Sequence, residues 1–241
     1  MHQSGLVMLL PHGIDGAGPE HSSCRVERFL QLTDSREMGQ QGDSDHVNMY
    51  IVNPTTAAQY FHLLRLQMAR NFRKPLIVVG PKMLLTKPAA ASSLSELGPG
   101  TQFYPVLDDP MFAKGTADRK SVKRVVLCSG KHYYNLDDYA KANGALREQT
   151  ALVRVERLCP FPASEINQIL KQYPNATGDV VWSQEEHQNS GAWSFVQPRL
   201  KNFCGVHHLQ YRGRGPLACP ATGCGVYHKQ EAVQVVKDAF N

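Results

Sequence analysis

Apolar residues run along this chain in short blocks of two periods, and the alternation between them predicts an α/β protein with mostly parallel sheets. Leu6–Leu10 is a continuous apolar run, the pattern of a strand buried on both faces. It opens into a glycine-rich loop that carries His12-Gly13 and Gly18-Pro19-Glu20-His21-Ser22. After a Ser22-Ser23 cap, Val26, Phe29, Leu30 and Leu32 fall at helical spacing. Thr33 to Asp45 is polar loop, Val47–Val52 alternates as a strand, and Asn53-Pro54-Thr55-Thr56 supplies a turn and cap. Ala57 to Arg70 reads as a helix with Tyr60, Phe61, Leu63, Leu64 and Met68 on one apolar face. Pro75–Val79 is a further buried strand, closed by Gly80-Pro81.

From Lys82 to about Lys120 the periodicity loosens around Pro88, Pro99-Gly100, Pro105, Pro110 and Gly115, as in a connection between domains. A second alternating set follows. Strands are expected at Arg124–Ser129, Ala151–Val155, Asp179–Ser183 and His208–Tyr211, and helices around Leu136 to Leu146, Ala163 to Tyr173, Trp193 to Phe203 and Gln230 to Phe240. The organisation expected is therefore a first α/β unit over 1–83, a connection over 84–120 and a second α/β domain over 121–241. No internal repeat is visible.

Composition narrows the class. A chain 42% hydrophobic and 20% charged has the balance of a globular protein, which excludes disordered and collagen-like classes. Its apolar runs fall far short of the roughly 20 residues a membrane helix needs. The net charge of +5 is modest and the basic residues are scattered, so nucleic acid is not the expected partner. The six cysteines form no C-x-x-C pair and read as reduced thiols; Cys219 and Cys224 could pair by spacing alone. Leu6–Leu10 begins almost at the first residue without the flanks of a signal peptide. That start reads as the carboxy-terminal part of a longer polypeptide.

His12 and His21 are the candidate catalytic residues. Imidazole titrates near neutrality, so a loop that holds two of them beside glycines can offer a proton donor and an anion-binding group to a substrate. Glu20 could orient His21. Glu185-Glu186-His187 ends a predicted strand, where α/β folds place ligand groups, or it forms an acidic loop that pairs with basic residues at a domain or subunit interface. Arg65, Arg70, Arg73 and Lys74 cluster at a helix end, where the dipole accounts for them. The chain has no G-x-G-x-x-G after a strand, no G-x-S-x-G and no Walker sequence.

The text of the chain then becomes specific. Leu10-Pro11-His12-Gly13, Gly18-Pro19-Glu20-His21-Ser22-Ser23, Arg28-Phe29-Leu30-Gln31, Phe61-His62-Leu63-Leu64-Arg65, Cys128-Ser129-Gly130-Lys131, Gln184-Glu185-Glu186 and Asn189-Ser190-Gly191-Ala192-Trp193 occur in an order that resembles the 2-oxoglutarate dehydrogenase family, in its thiamine-dependent decarboxylase component. Asn71-Phe72-Arg73-Lys74, Lys82-Met83 and Trp193-Ser194-Phe195 look more like its 2-oxoadipate branch, the dehydrogenase-and-transketolase-domain paralogue. The resemblance implies the end of a transketolase-type pyrimidine-binding domain over 1–83, followed by the family's C-terminal α/β domain. It further implies thiamine diphosphate with Mg, a homodimer partner, a lipoyl-bearing succinyltransferase component as acyl acceptor, and a mitochondrial location. In it His12 matches the active-site histidine, and His21 stands where transketolase-like proteins carry a second one. The Gly-Asp-Gly and Asn that hold magnesium are absent, so the chain is expected to be inactive alone. A noncatalytic dimerisation or regulatory module is the rival reading, and 2-oxoglutarate is not separable from 2-oxoadipate here, because one methylene is worth only about 1–3 kcal/mol of discrimination.

Overall fold

The computed structural model describes residues 3–16, 18–19, 22–39 and 42–241. Two sheets organise them. The first half contributes β1 (Val7–Pro11), α1 (Val26–Gln31), β2 (Tyr50–Val52), α2 (Ala57–Ala69) and β3 (Leu76–Gly80). The remainder contributes β4 (Val106–Leu107), α3 (Pro110–Ala113), β5 (Arg124–Cys128), α4 (His132–Ala142), α5 (Gly144–Gln149), β6 (Thr150–Val155), β7 (Arg157–Cys159), α6 (Ala163–Leu170), β8 (Val180–His187), α7 (Trp193–Cys204), β9 (Gln210–Arg214) and α8 (Gly225–Asp238). The smaller sheet has the order β1-β3-β2-β7 and the larger β4-β6-β5-β8-β9. Every pairing is parallel except β2 with β7 and β4 with β6.

The β-branched runs that predicted strands are where the core lies. Ile77, Val78 and Val79 of β3, Val125 and Val126 of β5 and every residue of β6 are buried, as expected of parallel strands covered on both faces. Trp182 of β8 is fully enclosed, and its indole N–H donates to Gln184 Oε1 at 3.0 Å, which satisfies its polar atom inside the core. Among the described residues no helix is long and apolar enough to cross a membrane, and all six cysteines are free.

Several local expectations are overturned. β1 is an edge strand rather than one buried on both faces. β1 pairs with β3 alone among the described strands, and Leu9, which lines a cavity, is 58% exposed. In α2, Phe61 and Met68 are exposed, while Gln59, His62 and Gln67 are buried. The polar side chains go inward because backbone partners await them: Gln59 exchanges two hydrogen bonds with Tyr104 (2.6 and 3.0 Å), His62 bonds Glu96 O at 2.8 Å, and Gln67 donates to Lys74 O at 2.8 Å. The 84–120 connection is thus a packed layer against α2, and it also supplies β4. Helix α1 starts at Arg25, in the left-handed region at φ 56°, rather than on a serine cap. The expected helix over 136–146 breaks at Asn143 into α4 and α5. Strand β7, unforeseen in the pattern, leaves the second half of the chain to complete the first sheet.

The basic cluster after α2 has structural uses. Arg70 lies 4.0 Å over the Tyr50 ring, Arg65 donates to Thr101 O, and the Lys74 ammonium donates to the carbonyls of Asp45 and Val47.

A candidate site at the seam of the two sheets

His12 directly follows β1, and its backbone N–H continues the ladder by donating to Gly80 O at 3.2 Å. Lys131 and Pro81 pack close against the backbone there, and Gly13 leaves the room: a Cβ at that position would lie 2.7 Å from Lys131 Cε and 3.1 Å from Pro81 Cβ. The imidazole is only 3% exposed. Its Nε2 is 2.7 Å from Glu186 Oε1, and its Nδ1 accepts the Cys24 backbone N–H at 3.2 Å. In the neutral ring a nitrogen that accepts an amide carries no proton, so that form holds its proton on Nε2 and donates it to Glu186.

Glu186 comes from the far end of β8, 174 positions away. The β8–β9 register shifts between Ser183 and His187, and in that irregular stretch both acids find cations at the seam. Glu185 accepts from Lys131 Nζ at 2.5 Å, and the same ammonium reaches Asp15 of the glycine-rich loop at 2.8 Å. An alternating array of charge results, running from the exposed Asp15 through the buried Lys131 to Glu185, with His12 and Glu186 beside it. Sequence reasoning left Glu185-Glu186 open between a ligand-binding end and an interface loop. The acids do pair with basic groups at the junction of the two halves, and one of those groups is the candidate histidine.

The electrostatics follow from that array. Burial works against a charge on His12, but the Cys24 thiol and the Glu186 carboxylate carry its pKa well above the ordinary value. Burial would raise Glu186, and the His12 hydrogen bond and charge more than offset it, so its pKa is lowered. Burial raises Glu185 against the opposing pull of Lys131. Lys131 would be lowered by burial, yet Glu185 and Asp15 raise it above the usual value. His132 next door is different: burial, with Lys131 adding to it, pushes its pKa down to about 3, and its neutral ring bonds Ser183 Oγ at 2.8 Å.

Two cavities flank this seam. One of about 640 Å³ lies at the carboxyl ends of β1, β2 and β3, lined by Leu10, Pro11, Thr55, Tyr60, Gly80 and Leu84. The other, of about 470 Å³, lies between α1 and α7 and is lined by Glu27, Ser35, Glu37, Ser194 and Arg199. His12 lines neither. His21 and Glu20 lie outside the described residues. Lys131 and Asp15 escaped sequence reasoning as site residues, although Lys131 sits in the quoted Ser129-Gly130-Lys131 run.

Comparison with known proteins places this seam in a lineage. The family model for the 2-oxoglutarate dehydrogenase C-terminal region matches residues 91–240, and that for the transketolase pyrimidine-binding domain matches residues 1–88. The chain belongs to the 2-oxoglutarate dehydrogenase family. Within that family it is 54% identical over 98% of its length to the probable 2-oxoadipate dehydrogenase complex component E1 homolog of Caenorhabditis elegans, and 52% identical over 99% of its length to the human 2-oxoadipate dehydrogenase complex component E1. The 2-oxoglutarate dehydrogenase E1 component of Cupriavidus necator is 45% identical over 98% of the chain. These three relatives are much longer: the chain spans 25%, 25% and 23% of them, respectively.

Proposed function

We propose that this chain is the carboxy-terminal part of a 2-oxo acid dehydrogenase E1 component and forms the substrate-end wall of its decarboxylation site. The observation that carries the reading is His12, an imidazole fixed at the carboxyl end of β1, where α/β sheets present ligand groups, and held there by a carboxylate from the second half of the chain. In that reading His12 and His21 bind and orient the 2-oxo acid. The acyl group passes to a lipoyl-bearing partner, the assembly is a homodimer, and its place is the mitochondrial matrix. The names of the nematode and human relatives favour 2-oxoadipate over 2-oxoglutarate.

Family membership supports thiamine diphosphate as cofactor, with magnesium to hold its diphosphate; when bound, the thiamine supplies the electron sink for decarboxylation. The chain carries no Gly-Asp-Gly sequence for the metal end of that group. Among the described residues no cluster of three or more His, Cys, Asp or Glu could hold a metal ion. The isolated chain is therefore expected not to decarboxylate either 2-oxo acid.

A graft tests the reading. The matching quarter of the nematode relative, replaced by this chain, is expected to give a protein that decarboxylates 2-oxoadipate with thiamine diphosphate and magnesium, followed with ferricyanide as electron acceptor. His12→Ala in the same graft should lower kcat about 100-fold or more. A folded graft that turns over equally well without His12 removes the reading, and one with no activity at all favours the rival module.

A further inference from the structure

The two ring nitrogens of His12 are held by groups of opposite kind. Glu186, whose pKa is lowered, is an acceptor only, and it lies 2.7 Å from Nε2. The Cys24 amide is a donor only, and it lies 3.2 Å from Nδ1. Any neutral form of the ring with its proton on Nδ1 would set two donors face to face and leave a buried carboxylate facing a lone pair. One tautomer satisfies both contacts.

We propose that Glu186 is a positioning residue that pins a proton on His12 Nε2 in every state of the ring, so that Nδ1, on the Cys24 side, is the nitrogen through which His12 takes up and releases a proton. The inference rests on the reading of His12 as a substrate-end group and specifies its reactive atom.

The surrounding charges support a division of labour. Glu185 is occupied by Lys131, and Lys131 is also tied to Asp15, so the ammonium is matched on two sides. His132 stays neutral on Ser183, and Arg214 is committed to Glu231 at 2.6 Å and Thr222 at 2.9 Å. Of these groups His12 alone hydrogen-bonds Glu186 through its side chain, and the pair is only slightly exposed, at 3% and 13%. On the other side of the ring, Cys24 offers its amide to the unprotonated Nδ1. Protonation at Nδ1 thus displaces the Cys24 amide and leaves the Glu186 contact in place.

Ring-nitrogen NMR on the 241-residue chain tests this without any turnover. On the basic side of its titration, wild-type His12 is expected to carry its proton on Nε2. Glu186→Gln keeps an acceptor there but removes the charge, and should lower the His12 pKa by about one unit or more while leaving the tautomer unchanged. Glu186→Leu should release Nε2 and, with the Cys24 amide alone left to select the tautomer, admit a detectable share of the Nδ1-protonated form, and Glu185→Gln should leave the tautomer as in wild type. The inference falls if the wild-type proton lies on Nδ1, or if Glu186→Gln titrates as wild type does; these two measurements decide it even if the leucine variant fails to fold. Failure of the functional reading looks different. A normal Glu186→Gln shift in a graft indifferent to His12→Ala keeps the positioning and removes the function. An unmoved titration in a graft that needs His12 does the reverse.

Discussion

Thr55 closes on Glu156 twice, its amide donating to Oε2 at 2.8 Å and its hydroxyl to Oε1 at 2.5 Å, across 101 positions of chain. Arg154 completes the group by donating to Thr55 Oγ1 at 3.0 Å. Burial raises the Glu156 pKa and the Thr55 donors oppose it. Thr55→Val is expected to cost about 2 kcal/mol, because a buried carboxylate loses a donor and Arg154 loses an acceptor. The sign with pH is fixed by the raised pKa: stability falls as pH rises from the ordinary carboxyl value through the folded one. The variant raises that pKa further, so urea midpoints against pH should fall more steeply and over a wider range than in wild type.

His12→Ala leaves Glu186 ionised, buried and unpaired, at a cost of about 3 kcal/mol. The His12 pKa is raised, so its contribution is complete below about 6.5 and fades as pH rises through the folded value. Glu186 is lowered, so its share is complete above its ordinary value near 4.5 and fades as pH falls through the folded one. The gap between wild type and variant in chemical denaturation is expected to be widest between those limits and to narrow on either side. A gap independent of pH would remove the ion pair as its source.

In α2 the exposed apolar residues should matter less than the buried polar ones. Met68→Lys, at a site 70% exposed, is expected to move stability by less than about 0.5 kcal/mol. Gln59→Ala strands the Tyr104 amide and carbonyl and is expected to cost about 2 kcal/mol. Thermal melts of the two variants side by side check the order.

Gly130 stands in the left-handed region at φ 64°, with Asn53 packed where a Cβ would project. Gly130→Ala combines backbone strain with a clash against a side chain of the other half. A loss of about 2 kcal/mol is expected, read as a lowered melting temperature.

The strands of the parallel sheets were legible because β-branched runs buried on both faces have no other way to sit, as in β3, β5 and β6. The inward face of α2 was not, since Gln59 and His62 turn inward only when the 84–120 layer brings carbonyls to them, and Gln67 only for the Lys74 carbonyl. Local periodicity carries no trace of such partners. β1 looked doubly buried for a related reason: an apolar run records what a strand can tolerate, and its actual cover is a tertiary fact. At the site, His12 and the Glu185-Glu186 pair were both visible as chemistry-bearing residues. Their union was not, because it depends on how two sheets meet, and Asp15 and Lys131 gain significance only from that meeting.

Strand β7 has a mechanical consequence. Tyr50, Ile51 and Val52 of β2 are all buried, and β7 is the neighbour that closes their open flank with residues drawn from beyond the 84–120 layer. A protease that nicks this layer should therefore leave two pieces that migrate together in native gels, since separating them would tear a ladder and bare an aggregation-prone margin. Heating should likewise give one melting event rather than two, because the first sheet is unfinished without β7 and one hydrophobic core runs through both halves.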